Sequence, residues 1–249
     1  MAKSWLALKS IINQRNIFAD VALGRFACVG ERVLRAKIDA SHNNLRFFNI
    51  QKGRLDLLLD WIDGKDRPKA KLIKPYIANQ GVYGLIKQQQ KFNWLKHKKF
   101  NYLFMDTWSE LGDQKFTHKK EGWSFCCNFP DINYQSDFKE KFSFHGLLSE
   151  EEILKSYELF FNWFKVTHPG KQIFIMYYSP KFDRREKFKE RVTVINNSIA
   201  ELTNNYNFII NLRLEDDQVY LPDYFNYHYS DVTIKSYVDK WAQVEKNKE

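Results

Sequence analysis

Residues 221–230 hold the two side chains best suited to acid–base chemistry, Asp223 and His228, with four residues between them. A neutral imidazole can take up a proton near neutral pH, and a carboxylate bonded to its second ring nitrogen fixes its tautomer. The pair predicts a general base of the kind that acyl transfer needs, oriented by Asp223 or by Asp231. The alternative is a structural histidine that caps the last helix.

Asp106 is a third candidate catalytic group. It ends an apolar segment at residues 102–106, and Glu110 follows closely. Carboxylates at strand ends border ligand sites in open α/β sheets, which favours a functional role. The alternative is a helix N-cap, in which the carboxylate accepts backbone N–H groups.

The nucleophile that acyl transfer needs is harder to identify. Cys28 stands in an apolar segment and is predicted to point into the sheet as a buried thiol. Ser41 and Ser109 are alternatives. Arg32 has no acceptor lone pair and is instead a candidate for binding an anion at a helix N-terminus.

The other histidines and cysteines lack the spacing of metal ligands. Among them are His97, His118, His145, His168, Cys126 and Cys127. We therefore expect no metal and no cofactor. Three cysteines with one adjacent pair do not form a disulfide framework, so we expect reduced thiols. Because neither a membrane span nor a secretory signal is predicted, we expect a cytoplasmic location.

These groups need a sheet to bring them together. Five short segments rich in β-branched, aromatic and other apolar residues are each followed by helical spacing of apolar residues. They are residues 26–30, 45–50, 102–106, 172–178 and 208–212. Strands that alternate with helices favour a parallel sheet with helices on both faces. The expected fold class is α/β, a three-layer sandwich with a five-stranded, mostly parallel sheet, in a single domain over residues 1–249.

The starts of the helices are strong local signals. Ser149 and Glu152 form a capping box ahead of an apolar stripe, and Ser230 is predicted to cap the last helix. Shorter helices are predicted at residues 32–40 and 54–62, after the first and second strands.

Two stretches interrupt the alternation of strands and helices. Residues 63–99 contain Pro68 and Pro75 and are predicted to form a basic insertion or lid with one helix near residues 83–95. Residues 112–144 are predicted to form a long loop over the C-terminal ends of the strands.

Positive charge is concentrated in the insertion. Residues 65–100 hold ten basic residues against one acid, Asp66, so this segment accounts for the net charge of +9. Clustered cations attract anions such as phosphate or an anionic lipid surface. A solvated lysine-rich face is the simplest interpretation, and nucleic-acid binding is disfavoured because the aromatic residues here form no RNA-binding motif.

Neither a membrane span nor a secretory signal is predicted. The longest apolar run, residues 173–178, is far shorter than the ~20 residues that a membrane helix needs. Lys3, Lys9 and Arg15 interrupt the start of the chain. Residues 3–14 have amphipathic spacing, which favours packing on the domain, with peripheral membrane contact as the alternative.

The motifs around two glycines resemble those of the SGNH, or GDSL-like, hydrolase family. The first block of that family is an apolar strand that runs into Gly-Asp-Ser and a helix. Gly30, Glu31 and Arg32 are similar to it, with Arg32 at the position of the nucleophilic serine. The second block is a glycine that lends an N–H to an oxyanion hole, and Gly53 resembles it.

The later blocks match less closely. The third block, Gly-x-Asn, should fall within residues 105–110, which contain no asparagine. The last block, Asp-x-x-His before the final helix, is similar to Asp223 and His228 at a longer spacing.

The resemblance implies an esterase or O-acyltransferase that acts on an acylated carbohydrate, for example in bacterial surface-polysaccharide biosynthesis. It implies that Gly30, Glu31, Arg32 and Gly53 bind the substrate or the oxyanion. The alternative is a protein that lacks the nucleophile and binds an anionic glycan or nucleotide sugar in the same cleft.

Overall fold

The computed structural model describes residues 19–40, 44–91, 99–133, 137–220 and 230–246. The predicted helix at residues 3–14, Ser41, Asp223 and His228 lie outside these ranges. None of the helices in the described ranges has the length and apolar character needed to cross a membrane.

The strands and helices follow one another along the chain as follows. The strands are β1 Ala19–Arg25, β2 Asn44–Asn49, β3 Tyr102–Asp106, β4 Gln114–His118, β5 Ser124–Cys127, β6 Phe142–Phe144, β7 Ile173–Met176 and β8 Ile209–Leu212. The helices are α1 Cys28–Ala40, α2 Leu55–Ile62, α3 Ala70–Ile73, α4 Gln80–Lys91, α5 Trp108–Gly112, α6 Phe138–Lys141, α7 Glu150–Thr167, α8 Glu186–Thr203 and α9 Asp231–Lys246.

Five parallel strands form the main sheet in the order β2-β1-β3-β7-β8. Helices α1 and α9 pack together on one face, and α2, α7 and α8 pack on the other. This architecture confirms the expected α/β class with a five-stranded parallel sheet. The chain order reverses between β1 and β3, and such a switch point leaves a crevice at the C-terminal edge of the sheet.

The core of the main sheet explains why its central strands were predictable. All four residues of β7 are buried, because helices cover both faces and such a strand must be apolar throughout. Trp241 of α9 is fully buried and stacks on Phe174 at 4.4 Å and on Phe104 at 5.5 Å between ring centroids. Burying one large apolar side chain stabilises the fold by about 1.5–3 kcal/mol.

The capping box predicted at the start of α7 is present. The Ser149 side chain accepts the Glu152 N–H at 3.2 Å, and the Glu152 carboxylate accepts the Ser149 N–H at 2.7 Å. At α9, the Ser230 hydroxyl accepts the Thr233 N–H at 3.3 Å, which confirms the predicted cap.

The prediction of a first strand at residues 26–30 is wrong. Strand β1 ends at Arg25, and residues 28–30 form the first turn of α1. Side-chain acceptors end the strand: the Phe26 N–H donates to Asn49 Oδ1 at 3.1 Å, and the Ala27 N–H donates to Asp106 Oδ2 at 2.6 Å. The apolar run after the strand therefore belongs to a turn and a helix.

The prediction of a long loop at residues 112–144 is also wrong. A three-stranded antiparallel sheet in the order β5-β4-β6 occupies most of this stretch. Its aromatic residues Phe116, Phe125 and Phe142 belong, with the fully buried Trp123, to a second hydrophobic cluster, in which the rings of Trp123 and Phe142 meet edge-to-face. Ile73 and Ile86 of the basic insertion join this cluster, so the insertion packs on the small sheet. The described part of the insertion contains α3 and α4, where one helix was predicted.

Candidate functional site

A cavity of about 180 Å³ lies at the switch point, beyond the C-terminal ends of β1, β2, β3 and β7. It is lined by Ala27, Cys28, Gln51, Lys52, Leu85, Trp108 and Tyr178, and we refer to it as the switch-point cavity. All of these residues except Leu85 closely follow a strand of the main sheet, so the fold itself assembles the cavity. Leu85 comes from the insertion and covers one side.

Cys28 is the first residue of α1, and its thiol is accessible, whereas Cys126 and Cys127 are buried. The prediction of a buried Cys28 thiol is therefore wrong. The reason is the position of the strand end: because β1 stops at Arg25, Cys28 starts a helix at the sheet edge and does not lie within the sheet. Partial burial and the nearby Asp106 raise the pKa of the Cys28 thiol, while the Val29 backbone N–H lowers it.

A buried polar network lies beneath the cavity, and we refer to Arg25, Asp106, Glu110 and Tyr157 as the buried floor. Arg25 forms an ion pair with Glu110 at 2.8 Å. It also donates to the Asp106 carbonyl at 2.7 Å and to the Tyr157 hydroxyl at 3.0 Å. Each of the three charged side chains is 1% exposed. The network therefore ties β1 to β3 and α7, and water does not reach its charges.

Asp106 accepts two backbone N–H groups, from Ala27 at 2.6 Å and from Trp108 at 3.2 Å. Burial raises the pKa of its carboxyl to about 7, although Arg25 and the two N–H groups favour the carboxylate. The side chain fixes the two turns that carry Ala27 and Trp108 into the cavity wall. Asp106 therefore positions these two turns, and its acceptance of backbone N–H groups is similar to the predicted alternative of a helix N-cap.

Gly30, Glu31 and Arg32 lie within α1, and none of them lines the switch-point cavity. A Cβ on Gly30 would lie 2.7 Å from Phe26 Cβ, so glycine is needed for the helix to approach this turn. Glu31 pairs with Arg35 at 2.9 Å along the helix. The half-exposed Arg32 pairs with Asp231 of α9 at 2.7 Å.

The turn that follows β1 is closely packed. Gly24 is the last residue but one of that strand, and Phe26 directly follows the strand. Phe26 is 2% exposed and packs edge-to-face on Phe104 at 5.4 Å between ring centroids. A Cβ on Gly24 would lie 1.9 Å from the Phe26 ring, which shows how closely that ring covers the strand end.

Gly53 is buried beside the cavity, and its carbonyl accepts Arg25 Nη1 at 3.3 Å. The preceding residue, Lys52, adopts a positive φ of 55°, which is uncommon for a residue with a side chain. Its Nζ lies 3.3 Å from Asp113 and 3.1 Å from Asp131. Lys52 thus connects the cavity wall to the start of the small sheet.

Sequence reasoning missed Lys52, Trp108 and Tyr178. The rings of Trp108 and Tyr178 lie 5.1 Å apart between centroids and form one wall. A usable signal existed, since each residue lies at the end of a predicted strand or within two residues after it, and such positions border ligand sites.

Asp223 and His228 belong to residues 221–229, outside the described ranges, but both flanks of that segment are described. The Ser230 N–H donates to the Tyr220 carbonyl at 3.0 Å, so the two flanks are bonded to each other. Asp231 then pairs with Arg32 on α1, the helix that Cys28 begins. Within the described ranges, no group of three or more His, Cys, Asp or Glu side chains could hold a metal ion.

No family model and no curated protein sequence matches the chain. Several solved structures are similar in shape. A candidate platelet activating factor from Streptococcus pneumonia is 10% identical, with a TM-score of 0.47 over 98% of this chain and 99% of that chain. A GDSL-like lipase from Bacteroides thetaiotaomicron is 9% identical, with a TM-score of 0.45 over 93% and 89%. The psychrotrophic esterase EstA from Pseudoalteromonas sp. is 9% identical, with a TM-score of 0.40 over 92% and 97%.

The fold and the site together define a class of protein: a doubly wound α/β protein with a cavity at its switch point. The strand order and the cavity of this chain define that class.

Proposed function

We propose that this protein hydrolyses or transfers an O-acyl group of an acylated carbohydrate, with Cys28 as the nucleophile. One observation carries the proposal: an accessible thiol stands at the first turn of a helix in the wall of the switch-point cavity. Backbone N–H groups at such a helix start favour negative charge on the sulfur or on a developing oxyanion. We propose in addition that this reaction is part of surface-polysaccharide biosynthesis.

The proposed reaction has two steps. Cys28 Sγ attacks the carbonyl carbon of the ester while its proton passes to a base, and the sugar oxygen leaves as a hydroxyl with that proton. Water or a second hydroxyl then attacks the thioester, which releases the free thiol and gives hydrolysis or transfer.

A base is needed because the raised pKa of Cys28 keeps the thiol protonated at neutral pH. We propose His228 for this role, oriented by Asp223, because it is three residues from Asp231 in the sequence. Asp231 contacts α1 through Arg32.

The dimensions of the cavity support a short acyl group. Its volume of about 180 Å³ is below the ~300–1,000 Å³ of sites for drug-sized ligands. Ala27, Leu85 and Trp108 make much of its lining apolar, which suits an acetyl or similarly small chain.

The test is turnover of p-nitrophenyl acetate and of acetylated oligosaccharides by wild type and by Cys28→Ala. We expect the variant to lose about a thousandfold or more in kcat, since the nucleophile is removed. Arg35→Ala is the matched control, because Arg35 is exposed on the same helix and does not line the cavity. Equal turnover by Cys28→Ala and wild type would contradict the proposal.

A second candidate function is binding without catalysis. The observation that favours it is that Arg32, which the resemblance places at the position of the family's serine, pairs with Asp231 and does not line the switch-point cavity. This alternative predicts affinity for an anionic glycan or nucleotide sugar that weakens with added salt, with no turnover of any ester. Ester turnover that depends on Cys28 would exclude it.

A further inference from the structure

A second cavity, of about 220 Å³, lies beyond the C-terminal ends of β7 and β8. Its lining includes Tyr178, Ser179, Thr193, Asn196, Arg213 and Glu215, and we refer to it as the polar cavity. Neither the resemblance to a family nor the proposed chemistry assigns a role to it. Tyr178 lines both cavities, so the two are neighbours at the same edge of the sheet.

Asn196 of α8 gives the polar cavity a buried acceptor. The side chain is 3% exposed, and its Nδ2 donates to the Tyr178 carbonyl at 2.6 Å. Among the described residues, no group donates to its Oδ1. A buried acceptor without a donor is costly and uncommon, so Oδ1 is suited to receive a hydrogen bond from a ligand.

The charges around the polar cavity are mixed in sign. Arg213 lines the cavity, and its Nη2 donates to Asn197 Oδ1 at 2.8 Å, which fixes the position of its guanidinium. Glu215 and Asp216 supply negative charge on the lining. Hydroxyl groups of Ser179 and Thr193 can both donate and accept. Such a lining suits a neutral compound with several hydroxyls better than it suits an anion, which the two carboxylates would repel.

We infer that the polar cavity binds the sugar ring of the substrate. This inference rests on the proposed function, in which the acyl group enters the switch-point cavity on the other side of Tyr178. Its volume is again below that of a site for a drug-sized ligand, which fits one ring and not a chain of several. The protein would then bind the two parts of its substrate in separate cavities, the small apolar acyl group in one and a single hydroxylated ring in the other.

The first experiment measures binding without chemistry. Methyl glucoside, methyl galactoside and N-acetylglucosamine are titrated into Cys28→Ala, with saturation-transfer NMR as the readout. Thr193→Tyr, added to this background, introduces a ring into the polar cavity from an exposed helix position. We expect at least one of the three sugars to bind and Thr193→Tyr to weaken it about tenfold or more.

The matched control is Val194→Tyr, at the next residue of the helix, which is also exposed and does not line the polar cavity. It should leave sugar affinity unchanged. No binding of any of the three sugars, or equal weakening by both tyrosine variants, would overturn the inference.

The second experiment separates this inference from the proposed function. In the enzyme with Cys28 intact, Thr193→Tyr should raise KM for an acetylated sugar about tenfold. Val194→Tyr should leave unchanged both that KM and the turnover of p-nitrophenyl acetate, which has no sugar. An unchanged KM for the acetylated sugar would overturn the inference alone. Sugar binding that is lost in Thr193→Tyr while no ester is turned over would overturn the proposed function and support the sugar site.

Discussion

The buried floor and the wall of the switch-point cavity lie at the same edge of the sheet and differ in almost every chemical property. The floor holds Arg25, Asp106 and Glu110, which are buried and bonded to one another and to backbone groups. The wall holds Cys28 and Lys52, next to the paired rings of Trp108 and Tyr178. The strongest charges near the site therefore hold the turns in place, and the accessible reactive atom is a sulfur.

This difference has a physical basis. A buried ion pair gives up its hydration, so its net contribution to stability is small, but either partner left alone is strongly unfavourable. Arg25 and Glu110 consequently fix the position of β1 relative to α5, and substitution of either residue alone should destabilise the fold. Cys28 is instead an exposed residue at the start of α1, and it takes no part in the ion pair of Arg25 and Glu110.

The largest expected effect is on the floor. Glu110→Ala leaves Arg25 buried without its partner and should lower the free energy of unfolding by about 3–5 kcal/mol. Chemical denaturation measures it, with Glu151→Ala as the control, since Glu151 is exposed at the start of α7. A loss below about 1 kcal/mol would show that the stability of the fold does not depend on the pair of Arg25 and Glu110.

The next effect concerns the wall. In the native protein, iodoacetamide should alkylate Cys28 about a hundredfold or more faster than Cys126 or Cys127. The two buried thiols are shielded, and burial raises their pKa well above that of an ordinary thiol. Peptide mapping by mass spectrometry gives the rates, and unfolded protein serves as the control in which all three thiols react. Similar native rates would show that the Cys28 thiol is no more accessible than the two buried thiols.

A smaller effect is the pH dependence that Asp106 imposes. Its pKa is raised from 3.8 to about 7 in the folded protein, so between these values the folded state holds a proton that the unfolded state has lost. Stability should therefore fall as pH rises from about 4 to about 7, by at most about 1.4 kcal/mol per pH unit from this group.

The variant Asp106→Asn isolates this contribution, because it should lose the fall in stability between about pH 4 and about pH 7 that Asp106 causes. Asp216→Asn, at an exposed position, should keep it. The carboxyl carbon shift of Asp106 in NMR reports the pKa directly, and a midpoint near 3.8 would be the contrary result.

The smallest effect is expected outside both groups, at Arg32. Arg32 pairs with Asp231, and the side chain of Arg32 is 38% exposed while that of Asp231 is 99% exposed. Arg32→Ala should lower the free energy of unfolding by less than about 1 kcal/mol and leave the switch-point cavity intact. Thermal unfolding measures the change, with Arg35→Ala as the matched variant. A larger loss would mean that the contact between α1 and α9 depends on this pair.

The sequence predicted the elements whose burial leaves a simple pattern. The apolar run of β7 and the capping box at Ser149 each depend on local residue types, and both were found. Strand β1 was misplaced because Gly24 and Arg25 interrupt its apolar residues, while the run after it looks like a strand. What ends β1 is a pair of distant side chains, Asn49 and Asp106, and no local pattern reports them.

The candidate site was less predictable for a related reason. Whether Cys28 is accessible depends on where β1 stops, so the misplaced strand led directly to the expectation of a buried thiol. The small antiparallel sheet was missed because β6 has three residues, too few for a periodic signal. Asn196 lies on a long helix whose buried face is largely apolar, and only the packed structure shows that its Oδ1 has no donor among the described residues.

The most direct test of the central claim is to trap the acyl-enzyme. Wild type and Cys28→Ala are mixed with p-nitrophenyl acetate, quenched with acid during the first turnover and analysed by mass spectrometry. The proposal predicts one acetyl group per wild-type chain, mapped to Cys28, and no acetyl group on the variant. Turnover with no adduct on Cys28, or with the acetyl group on another residue, would contradict it.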